Sequence, residues 1–346
     1  MMKQQIKFFF QFLLIALMIC CLIWHQLIIY GISQGIGQVS MIIQAKPVSE
    51  ILDDTTFPDS LKTKLRLIAD VKQYTIDSLG LKPSKNYTTF YNQHQKALLY
   101  TITACEPYSL KPKEWTFPLL GAVSYKGFFN KEKAKKEYYK LKAEGYDVDI
   151  YSPSGWSTLG WFKDPIQSNM LEKSDGTLTN LIIHELSHGT LYVKNNVNFN
   201  ENLANFIGDK GAELFLIDKF GTQSKVYQDY ENRKKDDKLF ADYMLKSTER
   251  LDSLYHTFSN EPDTVKKAKK RQLITSIVLG VNRLPLYKHK NYFRYSLQAF
   301  FEGNAFFMAF TRYDSQYELF EKEYTEKFGS NLRKYLDFLK KTYPSL

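Results

Sequence analysis

The hydrophobic pattern begins with a long apolar run that carries no charge. Residues 8–30 read FFFQFLLIALMICCLIWHQLIIY, and only two glutamines and one histidine interrupt the apolar residues. About 20 such residues cross the hydrocarbon core of a bilayer as a helix. The run is apolar on every face, which argues against a helix packed into the core of a soluble domain. The pattern therefore predicts one N-terminal transmembrane helix within residues 1–30.

Positive charge lies on one side of this run. Lys3 and Lys7 precede it, and the next basic residue is Lys46. Since basic flanks stay in the cytoplasm, we expect a single-pass protein of the cytoplasmic membrane whose body faces outward, into the periplasm. Two alternatives stay open. One is a cleaved signal peptide, for which the run is long and lacks a small-x-small site, and the other is a lipoprotein site at Cys20 or Cys21.

The remaining residues, 31–346, change from mixed to β-rich to helical patterns. Apolar and aromatic residues with glycine and proline punctuation predict strand structure within 115–125 and at 147–151, on either side of a charged helix that Asn130 caps. From about residue 177 onward helical spacing dominates. The predicted fold class is α+β and mainly helical, with a small β-sheet and a C-terminal helical lobe at about 220–346.

Residues 184–188 carry the motif that indicates chemistry. They read HELSH, and on a helix spanning about 177–193 the imidazoles of His184 and His188 leave from the same face. Both can bind one zinc ion, and Glu185, one position further round, can act as general base toward a water molecule. Glu185 is the one acid in that helix. Two histidines and a glutamate in an otherwise apolar helix are costly without a partner, so an ordinary solvated helix is the weaker interpretation.

A catalytic zinc site needs a third protein ligand and one open position. The next acid in the sequence is Glu201, on a second helix that we expect from about residue 200 with Asn198 or Asn200 as its cap. A turn between the helices would return the second one antiparallel and bring Glu201 beside both histidines. Asp209 and Glu213, later on the same helix, are the alternative ligands.

Composition and charge exclude several classes of protein. The 47 basic and 37 acidic residues give a net charge of +10. The basic runs at 131–136 and 266–271 alternate with acids or lie on amphipathic helices, which is typical of solvated faces. No nucleic-acid-binding motif is present, so we expect no nucleic-acid partner. Three cysteines, two of them in the apolar run, exclude a disulfide scaffold and a four-cysteine metal site.

Taken together, these segments resemble the predicted zinc aminopeptidase family of bacteria, a group of the HExxH glu-zincin type. The likeness extends over most of the chain, in the blocks YGISQGIGQ, SLKPKEWTFPLLGAVSYKGFF (109–129), WSTLGWFKDP (156–165), HELSH with YVK and FNENLA, and GNAFFMAFTRY (303–313). The resemblance implies a zincin-like peptidase domain over 31–346 that acts on a peptide substrate. It implies one Zn²⁺ ion held by His184, His188 and Glu201, with Glu185 as the base.

Other roles in such a site have weaker candidates. Asn205, four residues after Glu201, either accepts the ring N–H of a ligand histidine or is an ordinary polar helix residue. An oxyanion donor is needed, for which Tyr313 is the candidate and Tyr192 its competitor. Residues 157–162 are expected to form the edge strand along which a peptide lies. The carboxylates available for a substrate's free ammonium group are Glu302, Glu106 and Asp164.

The function predicted is zinc-dependent hydrolysis of peptide bonds that removes N-terminal residues from peptides outside the cytoplasmic membrane. A membrane-anchored zinc endopeptidase acting on envelope proteins is the alternative with the same chemistry. A non-catalytic, membrane-tethered scaffold that holds zinc for stability is an alternative of another class. Structural zinc normally has four protein ligands, and the sequence offers three, which disfavours the scaffold.

Overall fold

The computed structural model describes residues 5–7, 11–12, 24–117, 121–153, 163–194, 196–310 and 316–343. Three of the sequence predictions fall outside these ranges. They are most of the apolar run at 8–30, the expected edge strand at 157–162, and the oxyanion candidate Tyr313.

The chain is mainly helical, with small sheets. The helices are α1 (His25–Gln44), α2 (Val48–Asp53), α3 (Asp59–Asp77), α4 (Lys131–Ala143), α5 (Asp175–His188), α6 (Val197–Phe220), α7 (Lys225–His256), α8 (Asp263–Gly280), α9 (His289–Ser296), α10 (Ala299–Glu302), α11 (Asn304–Met308), α12 (Tyr317–Phe328) and α13 (Leu332–Thr342). Single 3₁₀ turns lie at Ser168–Glu172 and Val281–Arg283.

Within the described ranges, the strands form three small sheets. They are β1 (Lys46–Pro47), β2 (Thr89–Tyr91), β3 (Tyr100–Cys105), β4 (Trp115–Phe117), β5 (Gly121–Val123), β6 (Lys126–Phe128), β7 (Asp147–Tyr151) and β8 (Ile166–Gln167). Strand β3 is central in an antiparallel sheet of order β6-β3-β7. Strand β2 pairs antiparallel with β1 and parallel with β8, and β4 pairs with β5 as an antiparallel ribbon.

The strand at 147–151 and the Asn130 cap agree with the sequence predictions, because both depend on local pattern. The side chain of Asn130 accepts a hydrogen bond from the backbone N–H of Lys133 at 2.9 Å. The segment 115–125 holds two short strands, β4 and β5, with Gly121 in the left-handed region at φ 72°. The two-residue strands β1 and β8 had no sequence signal, since two residues cannot show a period.

The main core surrounds the α5–α6 pair. Helix α3 covers it from the N-terminal side with Leu65, Ile68 and Val71, and α12 and α13 cover it from the C-terminal side. A second core joins α7 and α8 to the α10–α11 segment, and a third joins the β3 sheet to α4. The helices after residue 220 therefore contribute to two different cores, and α12 and α13 belong to the one that holds the motif.

Helix α1 lies at the N-terminal side of the body. Within the described residues, Leu27–Gln44 is the one helical stretch long and apolar enough to cross a membrane, judged by length and composition. It begins inside the apolar run of the sequence and extends well past its predicted end at residue 30.

Candidate metal centre

The HELSH motif lies at the C-terminal end of α5, and a tight contact with α6 positions it. A Cβ atom at Gly208 of α6 would lie 3.2 Å from both the Asn180 carbonyl oxygen and the His184 Cβ atom. At Gly211 it would lie 3.0 Å from Ile183 Cγ2 of α5. Small residues at these two positions let the two helices approach closely enough for side chains of α6 to reach the histidines.

Both helix boundaries differ from the predicted ones. Helix α5 starts at Asp175, after the capping residue Ser174, and ends at His188 instead of about 193. Tyr192 is therefore not one helical turn beyond the motif, although its ring centroid lies 6.1 Å from that of His188.

Helix α6 starts at Val197, and Asn196, not Asn198 or Asn200, provides the cap by accepting from the Phe199 N–H. The Asn200 side chain has another task. Its amide bonds both the N–H and the carbonyl of Val193 at 2.8 Å, which holds the turn between the helices. The contact between Asn200 and Val193 depends on the fold. The sequence alone could not show that Val193 engages the Asn200 side chain and leaves the capping role to Asn196.

The structure brings His184, His188 and Glu201 together. The two carboxylate oxygens of Glu201 lie 3.6 Å from the Nε2 atoms of His184 and His188, one oxygen to each ring. The three potential ligand atoms lie within 4.8 Å of one another. A tetrahedral zinc ion with bonds of about 2.0–2.2 Å separates its ligand atoms by about 3.3–3.6 Å. The cluster therefore has the dimensions and the ligand types of a zinc site.

The cluster is closed on the histidine side and open on the carboxylate side. The His188 side chain is 5% exposed and that of Glu201 is 52% exposed. Burial, together with the charge of His184, lowers the pKa of His188 to about 4, so this ring is neutral and has a lone pair at neutral pH. Burial alone would raise the pKa of Glu201. The hydrogen bond and charge of His184 and the charge of His188 outweigh burial and lower it, so Glu201 is ionised.

Glu185 is buried beside this cluster. Burial raises its pKa to about 7, the charge of His184 opposes the rise, and the charges of Glu201 and Asp164 add to it. A carboxyl group that titrates near neutral pH can both accept and return a proton. Glu185 thus has the properties that a general acid–base residue needs.

The Asn205 side chain is hydrogen-bonded to His184. Of the two interpretations that the sequence left for Asn205, this contact is compatible with the one in which its amide oxygen accepts the ring N–H of His184. An amide in this place holds the ring without adding charge.

Two neighbours of Glu185 lie far from it in sequence. Asp164, 1% exposed, exchanges two hydrogen bonds with Asn86, and its carbonyl accepts from the Tyr87 N–H at 2.8 Å. Tyr87 has a φ of 60°, and its buried hydroxyl has no hydrogen-bond partner in the described part of the chain. Burial, then the charges of Glu185 and Asp164, raise the pKa of Tyr87. Sequence reasoning missed Tyr87, because no spacing relates it to the motif.

The three candidate carboxylates for a substrate ammonium group have different surroundings. Asp164 is 1% exposed and hydrogen-bonded to Asn86, so its carboxylate is not open to a substrate. Glu302 is hydrogen-bonded to Asp149 in a carboxyl pair, where burial and the charge of Asp149 raise its pKa to about 8. It is mostly protonated at neutral pH. Glu106 is exposed, and its carbonyl accepts from the Asn304 side chain at 3.2 Å.

Fold and site together define a mainly helical protein whose motif helix and its neighbour bring two histidines and a glutamate to one point. Residues 29–343 match the family model described as "Putative aminopeptidase". The match covers most of the chain, so the protein belongs to this family, whose description indicates a peptidase. No curated protein and no solved structure shows a significant match.

Proposed function

We propose that this protein is a zinc-dependent peptidase that removes N-terminal residues from peptides. The observation that carries the proposal is the placing of His184, His188 and Glu201 around one point, with the buried acid Glu185 next to them. Membership of an aminopeptidase family supports hydrolysis of peptide bonds as the reaction. The zincin-like architecture and the removal of N-terminal residues are parts of the same proposal.

Zinc fits the ligands that the cluster offers. Two imidazole nitrogens and one carboxylate oxygen form the three-ligand set of catalytic zinc sites, which keep a further position open. The open side is that of Glu201, the most exposed of the three side chains. When bound there, zinc would polarise the scissile carbonyl group and lower the pKa of a water molecule.

The protein's own residues carry the proton transfers. We propose that Glu185, buried beside the two histidines, accepts the proton of the attacking water and passes it to the leaving amine. Asn205 holds the His184 ring, and Asp164 with its partners keeps the surroundings of Glu185 fixed. Tyr313 stays our proposal for the oxyanion donor, with Tyr192, close to His188, as the competitor.

The proposed location is the outer side of the cytoplasmic membrane. The uncharged run at 8–30 and the apolar character of Leu27–Gln44 support an N-terminal anchor, and Lys3 and Lys7 support an outward-facing body. We propose that the substrates are peptides in that compartment.

Replacing Glu185 by Gln tests the mechanism. We expect kcat to fall by about 10²–10⁴-fold, because the amide cannot accept the proton, while the protein still binds one zinc ion per chain. Zinc content is measured by mass spectrometry of the metal, and turnover with a peptide library. Glu132→Gln, an exposed glutamate on α4, is the matched control and should leave both unchanged. Full turnover by Glu185→Gln would reject the proposed base.

Peptides with free and with acetylated N-termini separate the candidate activities. Cleavage confined to free N-termini is the expected result for an aminopeptidase. Internal cleavage of both kinds would favour the envelope endopeptidase. Bound zinc without cleavage of any peptide would favour the scaffold.

A further inference from the structure

Tyr87, close to the proposed base, carries two structural costs. Its hydroxyl is buried without a hydrogen-bond partner in the described part of the chain, and the residue is 5% exposed. Its backbone has a φ of 60°, in the left-handed region that a bulky side chain rarely adopts. A phenylalanine would fill the same space without the unpaired hydroxyl, and a glycine would take this backbone without strain. The two costs together indicate a task for the side chain, because such strain collects at functional sites.

Hydrogen bonds around Tyr87 hold it in this conformation. Its N–H donates to the Asp164 carbonyl at 2.8 Å. The preceding residue, Asn86, exchanges two further hydrogen bonds with Asp164, at 3.2 and 3.3 Å. The Lys72 ammonium group donates to the Asn86 carbonyl at 2.6 Å. The turn is therefore fixed by its surroundings, and the Tyr87 side chain lies in the main core, the cluster that also includes Leu186 of α5.

The Glu185 carboxylate lacks the donor that Tyr87 could supply. Glu185 is 9% exposed, and no hydrogen bond from a described residue reaches its carboxylate. Burial, and after it the charges of Glu185 and Asp164, raise the pKa of Tyr87, so both carboxylates lie within electrostatic range of the hydroxyl. The Asp164 carboxylate already accepts from the Asn86 amide. In the described structure Glu185 is thus the nearby acceptor without a donor, and Tyr87 is the nearby donor without an acceptor.

We propose that Tyr87 is a positioning residue for Glu185: in the zinc-loaded protein its hydroxyl donates a hydrogen bond to the Glu185 carboxylate and orients it. The role rests on the proposed function, in which Glu185 is the base. The Glu185 side chain has several rotatable bonds, so its carboxylate can turn to the hydroxyl while α5 and the Tyr87 turn stay fixed. In proteins without their ligands, catalytic hydrogen bonds are often long or poorly aligned and shorten in the complex. Because the hydroxyl is buried, it acts through Glu185 and does not touch the substrate.

Tyr87→Phe in the full-length, zinc-loaded protein tests this role. We expect kcat to fall by about 10–100-fold, because packing alone then orients the base, while KM and the zinc content stay the same. Tyr324→Phe is the matched control, since Tyr324 lies in the same core, is also 5% exposed and donates to the Ser330 carbonyl. It should keep the parental kcat. In the Glu185→Gln background, Tyr87→Phe should lower kcat no further, because the two residues act as a unit.

Infrared spectroscopy provides a readout that does not depend on turnover. With Tyr87 isotopically labelled, its C–O stretch reports whether the hydroxyl donates a hydrogen bond. In zinc-loaded protein we expect this band to shift between the parent chain and Glu185→Leu, which removes the acceptor, and to stay unchanged in Glu132→Gln. Parental kcat in Tyr87→Phe, or a band that Glu185→Leu does not move, would overturn the role of Tyr87. A parent chain that cleaves no peptide, or full turnover by Glu185→Gln, would instead overturn the proposed function, and the band would still decide the contact.

Discussion

The α5–α6 helix pair holds two polar clusters two helical turns apart, and their chemistry differs. At one end Glu201 faces two imidazoles and is half exposed. At the other end Asp209 is half-buried and accepts from three neutral donors. They are the Asn180 amide at 2.6 Å, the Tyr317 hydroxyl at 3.2 Å and the Tyr230 hydroxyl at 3.3 Å.

The difference shows how one helix uses an acid in two ways. Histidines outweigh burial and lower the pKa of Glu201, which leaves an ionised oxygen donor beside two nitrogen donors. Burial raises the pKa of Asp209, against Lys234 and the three neutral donors. In the described structure Asp209 has no imidazole partner. It connects four helices, α5, α6, α7 and α12, and so serves stability, although the sequence alone left it as an alternative ligand.

The largest expected effect comes from replacing the acid of each cluster by its uncharged amide. Glu201→Gln should lower zinc affinity by at least about 100-fold, because a ligand itself matters more than its supporting partners. Asp209→Asn should keep one zinc ion per chain. Metal content after dialysis against a weak chelator measures both. Zinc retained by Glu201→Gln and lost by Asp209→Asn would reverse the roles that we assign to them.

The order of the two acids should be reversed for stability. Truncation of Asp209 to alanine should destabilise the protein more than truncation of Glu201. Asp209→Ala removes the shared acceptor of three partly buried hydrogen bonds, and we expect a loss of about 3 kcal/mol in the free energy of unfolding. Glu201→Ala in metal-free protein should change it by less than about 1 kcal/mol, since its side chain is half exposed. Urea unfolding in the presence of EDTA measures the two variants. Equal losses would contradict the distinction between the clusters.

A third acidic site differs from both clusters, because its two carboxyl groups are each other's main partners. Glu302 and Asp149 are hydrogen-bonded to each other, and burial raises their pKa values to about 8 and about 6. A raised pKa means that stability is greatest below the unfolded-state pKa of Glu302, 4.5, and falls as the pH rises through about 8. In Glu302→Gln the side-chain amide can still donate a hydrogen bond to Asp149, and it does not lose a proton as the pH rises. At pH 9 it should melt about 2–4 °C above the parent chain.

Thermal unfolding from pH 5 to pH 9 tests this prediction. The difference in melting temperature between variant and parent should grow with pH, and Glu132→Gln should show no such trend. A constant difference would show that the carboxyl pair does not titrate in this range.

The smallest expected effect concerns a buried polar group without a partner. Tyr87→Phe removes a hydroxyl that accepts and donates no hydrogen bond in the described structure. We expect the free energy of unfolding to stay the same or rise by up to about 1 kcal/mol, since no bond is lost. Chemical denaturation measures it. A loss of more than about 1 kcal/mol would show that the hydroxyl has a partner.

The local parts of the candidate site could be read from the sequence. The i, i+4 spacing of His184 and His188 places both rings on one helix face wherever that helix lies. The turn-rich segment after the motif predicts that the next acid, Glu201, returns beside the two histidines as the third ligand. Local pattern also predicted the Asn130 cap and strand β7. The helix ends were missed by several residues, because the Asn200–Val193 bonds that hold the turn cannot be read from pattern.

Long-range contacts decided the remainder. Asp164 and Tyr87 reach Glu185 through the pairing of β2 with β8, two strands far apart in sequence. The packing of α7 and α12 places two tyrosines against Asp209, whereas Glu201 faces two histidines. The sequence by itself determined the ligand types, their spacing and the apolar N-terminal run, all of which follow from periodicity along one helix. Only the tertiary structure decided which groups share a buried space, because burial and the partners it brings set each pKa and separate a candidate ligand from a structural acid.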